Sequence, residues 1–183
     1  AHGLLAKCVM FEEAVRVPFL LRLPGQRTGR RVGGPVSQVD IVPTVLDLLG
    51  QPQPGHLQGR SLRPLLESST AVADRPVFIE WNGPNNGLGD TLGAVQLPPW
   101  MADVASPEHL RAAVCDPVRT VVTPDGWKLN CSPLGEHELY RLTDDPGERH
   151  NLFAERRDQA AAMQALLFDW QRRTGDAVAL PQL

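Results

Sequence analysis

Two side chains near the start of the chain have the type and setting for chemistry. They are His2 and Lys7, in the stretch HGLLAKCVMFEEAVRVPFLLRLPG. Lys7 sits among Leu4, Leu5, Ala6, Cys8, Val9 and Met10. A lysine in such company either snorkels to water or faces an anion. Facing an anion, it stabilises negative charge on a departing oxygen, or donates a proton when desolvation lowers its pKa. His2 has the chemistry to hydrogen-bond an anionic oxygen or to act as a general acid. A solvated lysine and an ordinary terminal histidine are the competing readings from composition alone.

The other polar groups are weaker candidates. Glu12 and Glu13 can pair with Arg16 along a helix surface. Asp144 and Asp145, followed by Pro146 and Gly147, read as a turn with acidic caps. His56, His109, His137 and His150 share no spacing typical of metal ligands. Gly-rich phosphate loops, Ser-centred nucleophile elbows and Cys/His zinc patterns are all absent. Cys8, Cys115 and Cys131 read as buried free thiols, with a Cys115–Cys131 bridge as the alternative in an exported protein.

The elements that must position these groups follow from periodicity. Residues 7–15 suit a short helix, and the apolar run at 17–22 suits a strand covered on both faces, ended by Pro24 and Gly25. Residues 37–49 read as a helix with an apolar stripe of Val39, Val42, Leu46 and Leu49 beside Val45. Pro43 belongs in its first turn, which makes Asp40 the stronger N-cap and Ser37 the weaker, and Gly50 stops it. Residues 61–66 form a helical turn and 77–81 a strand. Residues 82–116 make a long irregular excursion, with a helix over 106–114 capped by Ser106 and opened by Pro107. Alternating runs at 118–122, 127–131 and 138–142, with Pro124, Asp125 and Gly126 between the first two, predict an antiparallel meander. A last helix spans 154–174, with Met163, Leu166, Leu167 and Trp170 as its stripe and Gly175 as its stop. The chain thus divides into an α/β piece, 1–70, and a smaller sheet-plus-helix subdomain, 71–183, joined near residues 68–74.

With 183 residues and 42% hydrophobic content, the chain can bury a core. Its net charge of −3 and lack of basic blocks favour neither nucleic acid nor an anionic membrane surface. No apolar run approaches the ~20 residues of a membrane span. A chain that opens on its richest stretch, on Ala rather than Met, reads as the later part of something longer.

The ordered segments resemble the sulfatase family of the alkaline phosphatase superfamily. The opening stretch is similar to HGLLGK…MYEE…RVPLI…PG, closest in pattern to choline-sulfatase-like enzymes and phosphonate monoester hydrolases. VSQVDIVPTVLDLLGQPQPGHLQGRSLRPLL resembles the family's VS-x-VDI-x-PT-x-LDL-x-G…QG-x-SL-x-PLL segment. RPVFIEW, VRTVVTPDGWKLN and ELYRLTDDPGERHNL resemble its C-terminal signatures, in family order. The resemblance implies the C-terminal part of an α/β, alkaline-phosphatase-like three-layer sandwich, with a small antiparallel sheet and a C-terminal helix. It implies sulfate monoester hydrolysis by an intact enzyme that uses a divalent metal (Ca or Mn) and a formylglycine made in a C/S-x-P-x-R motif. The metal-binding segment that precedes HGLLGK in the family is absent here, and the cysteines, in CVMFE, CDPVR and CSPLG, are not read as that nucleophile, so neither cofactor is expected in this chain and the chain alone is expected to be inactive. By position, Lys7 matches the lysine that contacts the sulfate and the leaving-group oxygen, a catalytic role. His2 matches a position near that pocket and is assigned to substrate binding. Asp40, Pro43 and Thr44 match a structural helix, and Asp145, Pro146, Gly147, Glu148 and Asn151 match the turn into the last helix. The implied partners are a small-molecule sulfate ester and a missing N-terminal half, with homo-oligomerisation open. Phosphonate or phosphate ester hydrolysis, and a non-catalytic fragment that pairs with a partner chain, are the alternatives.

Overall fold

Four short strands form one antiparallel sheet in chain order: β1 (Val77–Glu80), β2 (Arg119–Val122), β3 (Trp127–Cys131) and β4 (Glu138–Arg141). The structure is a computed structural model, and it describes residues 10–68, 70–82 and 106–183. The chain divides into two compact units. The first comprises Ala1–Val17, Phe78–Val121 and Lys128–Leu183; the second comprises Pro18–Val77 and Val122–Trp127.

In the first unit, the meander forms as its alternation predicts, within a residue or so at each strand end. Strict alternation of burial does not follow. Arg119, Thr120 and Val121 are buried in succession, and so are Lys128, Leu129, Asn130 and Cys131. Successive strand residues point to opposite faces, so the two central strands are covered on both sides. Helix α5 (Arg157–Thr174) contributes Ala160, Met163 and Leu167 to the core, and the Trp170 ring stacks on Phe78 with centroids 5.5 Å apart. Gly175, at φ 74°, closes the helix as expected. The helix starts three residues later than its pattern suggests. A separate turn, in which the Leu152 carbonyl accepts the Glu155 and Arg156 N–H groups, occupies that stretch. Helix α4 (Pro107–Cys115) has the expected cap, with Ser106 Oγ accepting the His109 N–H at 3.1 Å.

The second unit holds a 3-10 turn (Gln38–Asp40), helix α2 (Ile41–Leu48) and helix α3 (Arg63–Glu67). Pro43 sits in the first turn of α2, where its missing N–H is harmless. Asp40 does not cap α2 with its side chain. Its carboxylate instead accepts the Arg60 N–H at 2.9 Å and the Ser37 N–H at 3.3 Å, which ties the loop before α3 to the start of α2. Thr44 Oγ1 donates to the Asp40 carbonyl at 2.6 Å and accepts the Leu62 N–H at 2.8 Å. The valine and leucine stripe of α2 forms but faces outward, with Leu49 67% exposed, while Asp40, Pro43 and Thr44 make the buried face.

Residues 17–22 correct the sequence reading. They form no strand, and Leu20 is 91% exposed. A doubly covered strand draws its stability from neighbouring strands and layers, which its own apolar sequence cannot supply.

Candidate functional site

Just downstream of Lys7, helix α1 (Glu12–Val15) starts on a buried ionic cluster. Glu148 Oε2 accepts the Glu12 N–H at 2.6 Å. Lys128 Nζ lies 3.1 Å from Glu12 Oε1 and 2.8 Å from Glu148 Oε1. The Lys128 side chain is fully buried and that of Glu148 is 2% exposed. At this depth a lone ion would be costly, so each charge needs the others. Glu12 therefore bonds to Lys128 in β3, where the sequence suggests a surface pair with Arg16.

The Asp144–Asp145 turn delivers Glu148. Asp145 Oδ2 accepts the N–H groups of Arg149 and His150 at 2.7 and 2.9 Å, and these bonds hold its carboxyl below the usual aspartate range. The expected acidic turn cap is thus present. Asn151 completes it, accepting the Leu139 and Phe153 N–H groups and donating to the His137 carbonyl. Glu148 stands at φ 50°, the one positive φ of a non-glycine among the described residues.

Beside this cluster is a cleft of about 160 Å³, lined by Met10, Phe11, Trp81, Asp116, Asn130 and Ser132 among others. Ser132 donates its hydroxyl to Asp116 Oδ2, and its N–H goes to His137 Nδ1 at 3.2 Å. Burial lowers the His137 pKa, and an Nδ1 that accepts a hydrogen bond fits a neutral ring. Burial, with Glu138 nearby, pushes the Tyr140 hydroxyl well above its usual pKa. A second buried ion pair joins Arg119 to Asp176 through two bonds, at 2.7 and 2.9 Å.

His2 and Lys7 lie outside the described residues, as does Cys8. Cys115 and Cys131 are free thiols, so the bridge considered between them does not form. His109 pairs with Glu136 at 2.9 Å, and no group of three His, Cys, Asp or Glu side chains among the described residues is able to hold a metal ion. Lys128 and Arg119 escape the sequence reading, and Glu148 is read there only as part of the turn into the last helix. Lys128 and Glu148 look like surface charges in a strand and a turn; their partner lies 116 and 136 positions away. The one local sign is a lysine placed between Trp127 and Leu129 inside a strand.

Comparison with known proteins adds the wider context. A family model described as N-sulphoglucosamine sulphohydrolase, C-terminal, matches residues 1–84. Arylsulfatase K of Danio rerio is 32% identical over 170 residues, which is 91% of this chain and 28% of that protein. The uncharacterized sulfatase YidJ of Escherichia coli strain K12 is 29% identical over 180 residues, 96% of this chain and 30% of that protein. The solved structure of a 2-O GAG sulfatase has a similar fold, with TM-score 0.51 and 24% identity, over 79% of this chain and 27% of that one. The chain therefore spans under a third of the length of these relatives.

Proposed function

This chain belongs to the sulfatase family, and we propose that it is the C-terminal portion of an enzyme that hydrolyses sulfate monoesters. The observation that carries this reading is the 32% identity to an arylsulfatase over 91% of the chain. In this reading, residues 1–70 complete the α/β domain and 71–183 form the smaller subdomain.

Lys7 is assigned to the departing oxygen. As the S–O bond lengthens, negative charge gathers on that oxygen, and a fixed ammonium beside it lowers the barrier. His2 is assigned to a substrate oxygen in the same pocket. Sulfatase chemistry also implies a divalent metal and a formylglycine. This chain's residues do not fit either group. The described residues offer no cluster of three metal-ligating side chains. Cys115–Arg119, CDPVR, spells C-x-P-x-R, but Cys115 closes helix α4 and Arg119 is engaged by Asp176, the Trp81 carbonyl and Asn82. Both groups, Ca or Mn being the metal expected, belong in this reading to the remainder of the enzyme, as does most of the sulfate ester pocket.

An aryl sulfate assay with added Ca²⁺ or Mn²⁺ tests the proposal. The intact enzyme turns over the sulfate ester and this chain alone does not. Robust turnover by the chain alone overturns its reading as an incomplete site. Cleavage of phosphate or phosphonate esters, with sulfate esters left intact, overturns the sulfatase reading. In the intact enzyme, Lys7→Ala lowers kcat by roughly 10²-fold with the melting temperature nearly unchanged. A large loss of stability with normal turnover by the folded remainder would make Lys7 structural.

A further inference from the structure

We infer that Lys128 and Glu148 are positioning residues, which together with Glu12 clamp the segment that carries Lys7; the inference rests on the reading of Lys7 as an active-site residue. Three kinds of contact pin residues 10–12. The Glu12 N–H is held by Glu148 Oε2 at 2.6 Å, and the Glu12 carboxylate by Lys128 Nζ at 3.1 Å. Phe11 packs on Tyr140 with ring centroids 6.4 Å apart. Met10 is itself buried. Lys7 stands five positions before Glu12, so a fixed Glu12 restricts where Lys7 can reach.

Two features mark the cluster as more than packing. First, a buried ion group is a poor way to gain stability, since apolar side chains of similar volume do as well or better. What an ionic cluster adds is direction: one ammonium and one carboxylate fix the place of a particular backbone N–H. Second, the chain accepts a left-handed backbone at Glu148, φ 50°, to present that carboxylate. A glycine would take this conformation freely but would leave Lys128 and the Glu12 N–H short of a partner.

Amide hydrogen exchange in this chain, read on the peptide covering residues 10–16, which contains the Glu12 N–H, tests the clamp directly. The variants are Lys128→Met and the milder Glu148→Gln. Asp176→Asn, which touches none of the three residues, is the comparator, with each protein measured the same number of degrees below its own melting point. Exchange in that peptide rises by roughly tenfold in the two clamp variants and stays near wild type in the comparator. Unchanged exchange in folded Glu148→Gln overturns the clamp, and so does an equal rise in Asp176→Asn. Steady-state kinetics of the intact enzyme with an aryl sulfate give the second readout: kcat falls by roughly tenfold or more while KM stays within about twofold. Normal kcat in the folded variants overturns the positioning role. Exchange does not depend on turnover, so an intact enzyme inert toward the aryl sulfate sinks the sulfatase reading and leaves the clamp to be decided by exchange.

Discussion

Replacing Asp176 by Asn isolates one buried charge. The Arg119 side chain is 2% exposed and gives two hydrogen bonds to Asp176, from Nη2 at 2.7 Å and Nε at 2.9 Å. Gln171 Nε2 adds a third bond to the same carboxylate at 2.7 Å. Removing one partner of a buried pair typically costs about 3–5 kcal/mol. Arg119 keeps the Trp81 carbonyl and Asn82 Oδ1, both at 2.9 Å, and the carbonyl oxygen of the substituted amide still accepts one bond. The loss therefore falls at the low end, about 3 kcal/mol. For a chain of this size that corresponds to a fall in Tm of about 6–12 °C. Arg119 and the other donors hold the Asp176 carboxyl below the usual aspartate value of 3.8. A depressed folded-state pKa gives stability that is present above the unfolded value and lost as pH falls through the folded one. The difference in stability between wild type and Asp176→Asn is thus constant above about pH 5 and shrinks below about pH 4. Thermal and urea unfolding followed by circular dichroism, from pH 7 down to the acid limit of folding, measure both effects. A fall in Tm under about 2 °C at pH 7, or a difference that grows as pH falls, would refute the argument.

Three further outcomes follow from the geometry. Gly59→Ala drives a Cβ into the Val39 carbonyl and to 2.9 Å from the Asp40 N atom, so urea unfolding shows a loss on the order of 3 kcal/mol; a change under about 0.5 kcal/mol would mean the loop moves aside freely. Thr44→Val leaves the buried Leu62 N–H without its acceptor, which costs about 1–3 kcal/mol in the same measurement. Burial raises the pKa of the Cys131 thiol, so a disulfide reagent at pH 8, followed by peptide mapping, labels half-buried Cys115 first and Cys131 only as the protein unfolds. Equal labelling rates would contradict that ordering.

Where a signal was local, the sequence carried it. Pro124, Asp125 and Gly126 announce the β2–β3 hairpin, and Gly126 takes φ 89° to close it. Ser106 and Pro107 announce α4, and Gly175 ends α5, because caps and stops need only their own neighbours. Pairing at a distance was hidden. Nothing near Lys128 names Glu12, and nothing near Arg119 names Asp176. Residues 17–22 and the outer stripe of α2 show the reverse case, with an apolar pattern legible in sequence and no cover for it among the described residues. Of the candidate site, the approach from the Glu12 side is described, while Lys7 and His2 themselves are not.

The 136-position span from Glu12 to Glu148 also sets an order of events during synthesis. At ribosomal rates of about 5–20 residues per second, Glu12 waits about 7–27 s for its last partner to be made. Until then the Glu12 N–H is served by water, and residues 10–12 lack the anchor that Glu148 supplies. A nascent chain stalled anywhere before Glu148 therefore carries that segment without its anchor. The stretch read as chemically active is among the first of this chain to be translated and among the last to be secured.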